Sequence, residues 1–205
     1  SRFCRIWQWS LSRRCNFREK TFLKLQAKVL VITNYRKDQQ QSMLRFGDLL
    51  ISKKDARPNL DIEEIYPTAV FMKVCQQGKF SKWAAYIDKY FLFPKSLNRE
   101  LISLKDSVSL IHIIDHSNAI YLPKVKNVFK KSNLVTCHDL IAIRTARGEF
   151  KQAPPTSASG RFLQNRILKC LSKASFYACD SKSTMNDLNN MVKKSIGQSE
   201  VIHLG

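Results

Sequence analysis

At 205 residues, 44% apolar and 25% charged, the chain is long enough to bury one sizeable core and too apolar to be disordered throughout. Its 35 Lys and Arg outnumber 16 Asp and Glu, and the resulting +19 favours a polyanion or an anionic membrane surface as a partner. No apolar run reaches the roughly 18 residues of a membrane-spanning helix, and Arg2, Arg5, Arg13 and Arg14 break up the stretch a signal peptide would need.

Residues 1–28 carry five Arg and three Lys against one Glu, with Trp7, Trp9, Phe17 and Phe22 interspersed. Two readings stay open: a basic aromatic segment lying on anionic lipid, or a loosely packed leader. Residues 1–27 are therefore set apart as an N-terminal extension, and 28–205 as one folded domain. The run Lys28 to Thr33 predicts a buried β-branched strand, and Met43, Leu44, Phe46, Leu49, Leu50 and Ile51 predict an amphipathic helix after it. The loop between them lacks the glycines of a dinucleotide fingerprint. Leu60 to Val74 reads as a strand region broken by Pro67. Phe80, Trp83, Ala84, Ile87, Tyr90 and Phe91 fall at helical spacing within 79–104, and that stripe is expected to be core.

The apolar runs Val108 to Ile114 and Leu134 to Cys137 end in Asp115-His116-Ser117-Asn118 and His138-Asp139, with room for a crossover helix between them. Residues 141–160, rich in Ala, Pro, Ser and Thr, predict a long polar loop for substrate contacts or a lid, holding Arg144 and Arg147. Phe162, Leu163, Ile167, Leu168 and Leu171 predict a core-facing helix with a basic outer side. Ala174 to Cys179 predicts a strand, Asp180 or Ser181 the cap of a following helix, and Val201 the start of one more strand. Alternating strands and helices imply an α/β fold whose mainly parallel sheet is covered on both faces.

Polar groups thus recur immediately after consecutive strands, at Thr33-Asn34, Asp115-His116, His138-Asp139 and Asp180-Ser181. Parallel strands point all these ends to one edge, where open α/β sheets bind their ligands. The alternative is that His116 and His138 simply satisfy loop carbonyls. The four histidines lack spacing usable for zinc, so no metal is expected. A Cys137 and His138 dyad fails because adjacent strand residues point to opposite faces. The six cysteines contain no Cys-x-x-Cys pair, which predicts thiols in a reducing compartment.

Five segments carry a family likeness: Val29-Leu-Val-Ile-Thr-Asn34, Ile111-His-Ile-Ile-Asp-His-Ser117, Val135-Thr-Cys-His-Asp-Leu140, Cys179-Asp-Ser-Lys-Ser-Thr-Met-Asn-Asp-Leu188 and Val201-Ile-His-Leu-Gly205. In this order the sequence resembles the N-terminal domain of the group 1 (family four) retaining glycosyltransferases of the GT-B fold, over roughly residues 28–205. The resemblance implies a Rossmann-like three-layer sandwich, the acceptor-side half of a two-domain enzyme, ending at the interdomain hinge. It implies a nucleotide-sugar donor as substrate with no cofactor, and a glycan or lipid-linked acceptor. A missing C-terminal domain would complete the donor site, so the chain alone would be inactive. A cytoplasmic location follows, peripheral on the cytoplasmic face of the membrane, with no nucleic acid partner.

His116 or Asp115 would then face the donor sugar and the forming bond, with His138 as the third catalytic residue. Asn34, Gln41, Ser42, Asp139, Arg144, Arg147 and Ser181 would bind substrate, the arginines meeting a phosphate. The sequence departs from the family pattern where Asp38-Gln-Gln-Gln-Ser42 replaces a glycine pair, at Lys182 where Glu is frequent, and at His203-Leu204 where Pro-Asn is usual. The reading from a different class is a non-catalytic basic α/β module that binds nucleic acid or anionic lipid.

Overall fold

The computed structural model describes Trp7, Ser10 and residues 27–38, 41–52, 60–74, 80–129 and 132–203. The strands are β1 (Ala27–Ile32), β2 (Leu60–Ile65), β3 (Val108–Ile113), β4 (Asn133–Cys137), β5 (Phe176–Cys179) and β6 (Ser199–Val201). They form one sheet in the order β2-β1-β3-β4-β5-β6, parallel throughout. The helices are α1 (Gln41–Ser52), α2 (Phe71–Val74), α3 (Phe80–Ile87), α4 (Phe93–Leu104), α5 (Leu122–Val128), α6 (Ile141–Ala146), α7 (Ala158–Leu171) and α8 (Lys182–Met191). The expected α/β architecture with a parallel sheet is the one observed.

Both faces of the sheet are buried, and the alternation of side chains along each strand divides the core in two. Leu30, Ile32, Ile111, Ile113, Val135, Cys137, Tyr177 and Cys179 pack on one side with α4, α5, α7 and α8. Val29, Val31, Leu110, Leu134, Phe176 and Ala178 pack on the other with Phe46 and Leu50 of α1 and with Trp7. Each fully buried Val, Leu or Ile side chain contributes about 1.5–3 kcal/mol, before the entropy of ordering it is subtracted. Cys137 and His138 thus lie on opposite sides, as strand alternation requires. The neighbouring Cys179 thiol and complete burial push the Cys137 thiol well above its ordinary pKa. Cys137, Cys170 and Cys179 are all free thiols.

Strand register sets which polar ends meet. Ile32 pairs with Ile113, so Asn34 and Asp115 arrive level with each other two residues later. Cys137 pairs with Cys179, which brings His138 level with Asp180. Helix α1 closes on these ends from one side: a Cβ on Gly47 would lie 3.0 Å from Ile114 Cδ1 and 3.3 Å from Thr33 Cγ2, so this close approach suits glycine.

Three expectations are corrected. The stripe expected to be core is largely on the surface: Ala84 is buried and Ile87 and Tyr90 half-buried, but Phe80, Trp83 and Phe91 are exposed. Asp88–Leu92 forms a π-helical turn between α3 and α4, whose extra residue rotates the apolar face. Phe93, Leu97 and Leu101 of α4 fill the sheet face instead. The predicted loop 141–160 is shorter, because Ile141–Ala146 forms the short helix α6, just after the turn in which Asp139 accepts from Ile141 N–H at 3.0 Å. Arg144 therefore stands on a helix, and α7 already begins at Ala158. Within α7 the buried residues are Ile167, Cys170 and Leu171, while Phe162 is exposed.

Most of the basic extension 1–27, and Leu204 and Gly205 of the last resemblance segment, lie outside the described residues. Trp7 is fully buried, and its Nε1–H donates to His112 Nδ1 at 3.1 Å. That donor fixes the tautomer, since an indole cannot accept; His112 Nε2 then carries the proton toward Thr136 Oγ1 at 2.8 Å. Burial, with His138 nearby, pushes His112 down to about 3, so it is neutral.

Candidate functional site

The carboxyl edge of the sheet carries two linked clusters. At the ends of β1 and β3, Asp115 has the backbone shape of a helix cap and accepts from Ser117 N–H at 3.1 Å, starting the 3-10 turn His116–Tyr121. Its Oδ2 accepts from Ser117 Oγ at 2.6 Å and from Asn34 Nδ2 at 2.9 Å. Asn118 Nδ2 in turn donates to Asn34 Oδ1 at 2.8 Å. Burial raises the cost of charge on Asp115, but His116, Ser117 and Asn34 outweigh it and hold the carboxyl well below the ordinary carboxylate range.

His116 is the least committed group of this cluster. Its Nδ1 is buried 3.1 Å from Asp115 Oδ1, within reach of the charge but off the line of a good hydrogen bond. That contact favours a proton on Nδ1, which turns the lone pair of Nε2 away from Asp115.

At the ends of β4 and β5 the second histidine is fully engaged. His138 Nδ1 lies 2.7 Å from Asp180 Oδ2, and Nε2 lies 2.9 Å from the carbonyl oxygen of Ile114. Both partners can only accept from a ring nitrogen when the carboxylate is ionised, so the geometry is that of an imidazolium. Burial disfavours the charge, yet Asp180 and the Ile114 carbonyl raise the His138 pKa above its ordinary value. The edge of the ring packs on Phe46 at 5.0 Å between centroids. Since Ile114 directly precedes Asp115, this bond ties the two clusters together.

The other expected residues fall around this edge. Ser181 caps α8, its Oγ accepting from Thr184 N–H at 3.1 Å, and Thr184 Oγ1 donates to the His138 carbonyl at 3.1 Å. Asp139 is exposed and accepts from Ile141 N–H, with Leu140 between it and α6. Gln41 and Ser42 are exposed in the first turn of α1. The Arg144 guanidinium is held by Glu149 and Asp187, each at 2.8 Å, over the Phe150 ring. Arg147 is more open, with Nε 3.7 Å from Glu149.

Asn34, Asp115, His116, His138 and Ser181 are thus brought onto one edge, whereas Arg144 is committed to acidic partners. Sequence reasoning did not select Asn118 or Asp180. Both sat in polar clusters at strand ends, and the register that makes them partners of Asn34 and His138 was the missing information. The pairing of His112 with Trp7 was also missed, although a polar residue inside a buried strand must find a partner.

No protein-family model and no curated protein sequence matches the chain. Solved structures do. The structure of Phytolacca americana UGT2 complexed with UDP-2fluoro-glucose and pterostilbene is similar at a TM-score of 0.51 and 10% identity, over 88% of this chain and 54% of that one. A Polygonum tinctorium UDP-glucosyltransferase, capable of glucosylating indoxyl and solved with 3,4-dichloroaniline, is similar at 0.54 and 8% identity, over 89% of this chain and 53% of the other. The fold is glycosyltransferase-like. Glycyrrhiza uralensis UGT73P12, complexed with glycyrrhetinic acid 3-O-monoglucuronide, matches at 0.50 and 9% identity over 87% and 48%. The chain spans about half the length of these structural neighbours.

Proposed function

We propose that the chain is the acceptor-side half of a glycosyltransferase that moves a sugar from a nucleotide-sugar donor to a glycan or lipid-linked acceptor with retention. The observation that carries the reading is the convergence of Asn34, Asp115, His116, His138 and Asp180 at the carboxyl edge of a parallel sheet of this fold. The neighbours named above were solved with UDP-2fluoro-glucose and pterostilbene, with 3,4-dichloroaniline and with glycyrrhetinic acid 3-O-monoglucuronide, and their likeness supports the coarse class of reaction.

In this reading His116 faces the anomeric centre through Nε2, and Asp115 holds its ring from behind. Asp115 has both oxygens occupied by donors, which makes it a poor nucleophile. That suits a transfer in which dipoles stabilise an oxocarbenium-like centre and the leaving diphosphate is neutralised by cations from the other half of the enzyme. His138 positions the Ile114 to His116 segment through its bond to the Ile114 carbonyl. Gln41, Ser42 and Asp139 are exposed and available to an acceptor, and Arg147, more open than Arg144, to a phosphate. The basic residues of the N-terminal extension would hold the enzyme on the cytoplasmic face of the membrane, while Trp7 serves the core and not the lipid.

The test is made in an enzyme carrying both halves. His116→Ala should lower turnover by about 100-fold or more with a melting temperature close to wild type. Near-normal turnover would sink the assignment and favour a basic module that binds anionic lipid or nucleic acid.

A further inference from the structure

The aromatic stripe of α3 is too exposed to serve the fold. Phe80 is 75% exposed, Trp83 69% and Tyr86 44%, and Tyr90, one turn further on, is half-buried. An amphipathic helix normally turns such rings inward; here Ala84 is the only buried side chain among the described residues of α3. The rings form a ladder, with centroids 6.3 Å apart from Trp83 to Tyr86 and 5.4 Å from Tyr86 to Tyr90.

The ladder leads to the strand-end cluster. Lys89 Nζ sits over both the Tyr90 ring, at 5.7 Å, and the Tyr35 ring, at 5.9 Å, and Tyr35 directly follows Asn34. Tyr121, which closes the turn begun by His116, donates its hydroxyl to the Lys89 carbonyl at 3.2 Å. The join is fixed by Asp88, whose carboxylate accepts from Tyr35 Oη and from the N–H groups of Val70, Phe71 and Met72. The π-helical turn falls here, where such turns often mark functional sites.

The two ends differ in chemistry. At the outer end stand the plain rings of Phe80 and Trp83, both largely exposed, so the surface there is apolar. At the inner end the Lys89 charge is neutralised by Asp38 at 2.9 Å, and tyrosine hydroxyls replace plain rings. An apolar outer end and a polar, charge-paired inner end describe the complement of a single amphiphile with an uncharged hydroxylated head. We infer that the Phe80–Trp83–Tyr86–Tyr90 stripe seats the apolar body of the acceptor, an amphiphile whose hydroxyl reaches the Asn34–Asp115–His116 cluster. The inference rests on the glycosyltransferase reading. Aromatic rings bury apolar surface against such a body, and tyrosine presents an apolar ring with a polar tip.

Titration calorimetry on the chain tests it with n-octyl β-glucoside below its micelle concentration, methyl β-glucoside, and vesicles of phosphatidylcholine with phosphatidylglycerol. The octyl glycoside should bind saturably and the methyl glycoside should not. Trp83→Ser and Tyr86→Ser, both on the surface and therefore folded, should each weaken octyl glycoside binding about tenfold, while Ile196→Ser, an exposed apolar residue outside the stripe, leaves it unchanged. Equal binding of both glycosides, no loss in the stripe variants, or binding to vesicles alone would overturn the inference. In the two-half enzyme, absent transfer with stripe-dependent octyl glycoside binding intact would remove the catalytic reading and keep the amphiphile site. Normal transfer without stripe-dependent binding would remove the amphiphile site alone.

Discussion

The ends of β3 and β4 look alike in sequence, Asp115-His116 against His138-Asp139, and the fold makes different things of them. At the end of β4, both His138 nitrogens are engaged, one with Asp180 and one with the Ile114 carbonyl. At the end of β3 the carboxylate is saturated instead, and His116 keeps one nitrogen clear of its neighbour. The partners each ring finds across the sheet, more than its place after a strand, decide whether it can meet a substrate. One histidine holds the edge together; the other is available to work on it.

The largest effect on that contrast should come from the shared support. Asp115→Ala removes the acceptor for Asn34 and Ser117 and the carboxylate beside His116 at a buried site, and should lower the unfolding free energy by about 3 kcal/mol. Urea denaturation measures it, and a loss under about 1 kcal/mol would mean that the β1 and β3 ends are held by something else.

Next comes the pair of histidines. His138→Ala strands Asp180 and the Ile114 carbonyl and should cost about 2 kcal/mol, clearly more than His116→Ala under the same denaturant. The pH profile sharpens this. The His138 pKa is raised in the fold, so its contribution is complete below the unfolded value of about 6.5 and is lost as pH rises through the folded value. The stability difference between wild type and His138→Gln should therefore shrink over that interval. A difference that stays level would show that the fold does not raise the His138 pKa.

The smallest effect belongs to the cap behind His138. Ser181→Ala removes the acceptor for Thr184 N–H and should cost about 1 kcal/mol of stability, visible as a modest drop in melting temperature. Because Thr184 Oγ1 bonds the His138 carbonyl, coupling with His138→Ala in a double-mutant cycle would place the cap within the same network. Strict additivity would leave Ser181 a helix cap only.

The local pattern was enough to read most strand runs, the parallel α/β class and the edge where polar groups gather, although β2 stops at Ile65 with a helix at Phe71–Val74, and β6 ends at Val201 where a strand was expected to begin. Burial on both faces leaves near-continuous β-branched segments such as Val29 to Ile32, and parallel strands must end together. Whether Phe80 and Trp83 face core or solvent was not legible, because the π-helical turn at Asp88–Leu92 shifts the helix face without a periodic signal. Nor was the fate of Arg144, whose partner Asp187 lies on another helix.

By itself, then, the sequence determined which residues stand just past the strands, since that depends on local hydrophobic patterning and on the polar residues that stop each run. Only the tertiary structure decided which of them bond to one another. The register of β1 on β3 sets Asn34 against Asp115, and that of β4 on β5 sets His138 against Asp180. Register arises from packing the whole sheet between its helices, and no short stretch of chain carries that information.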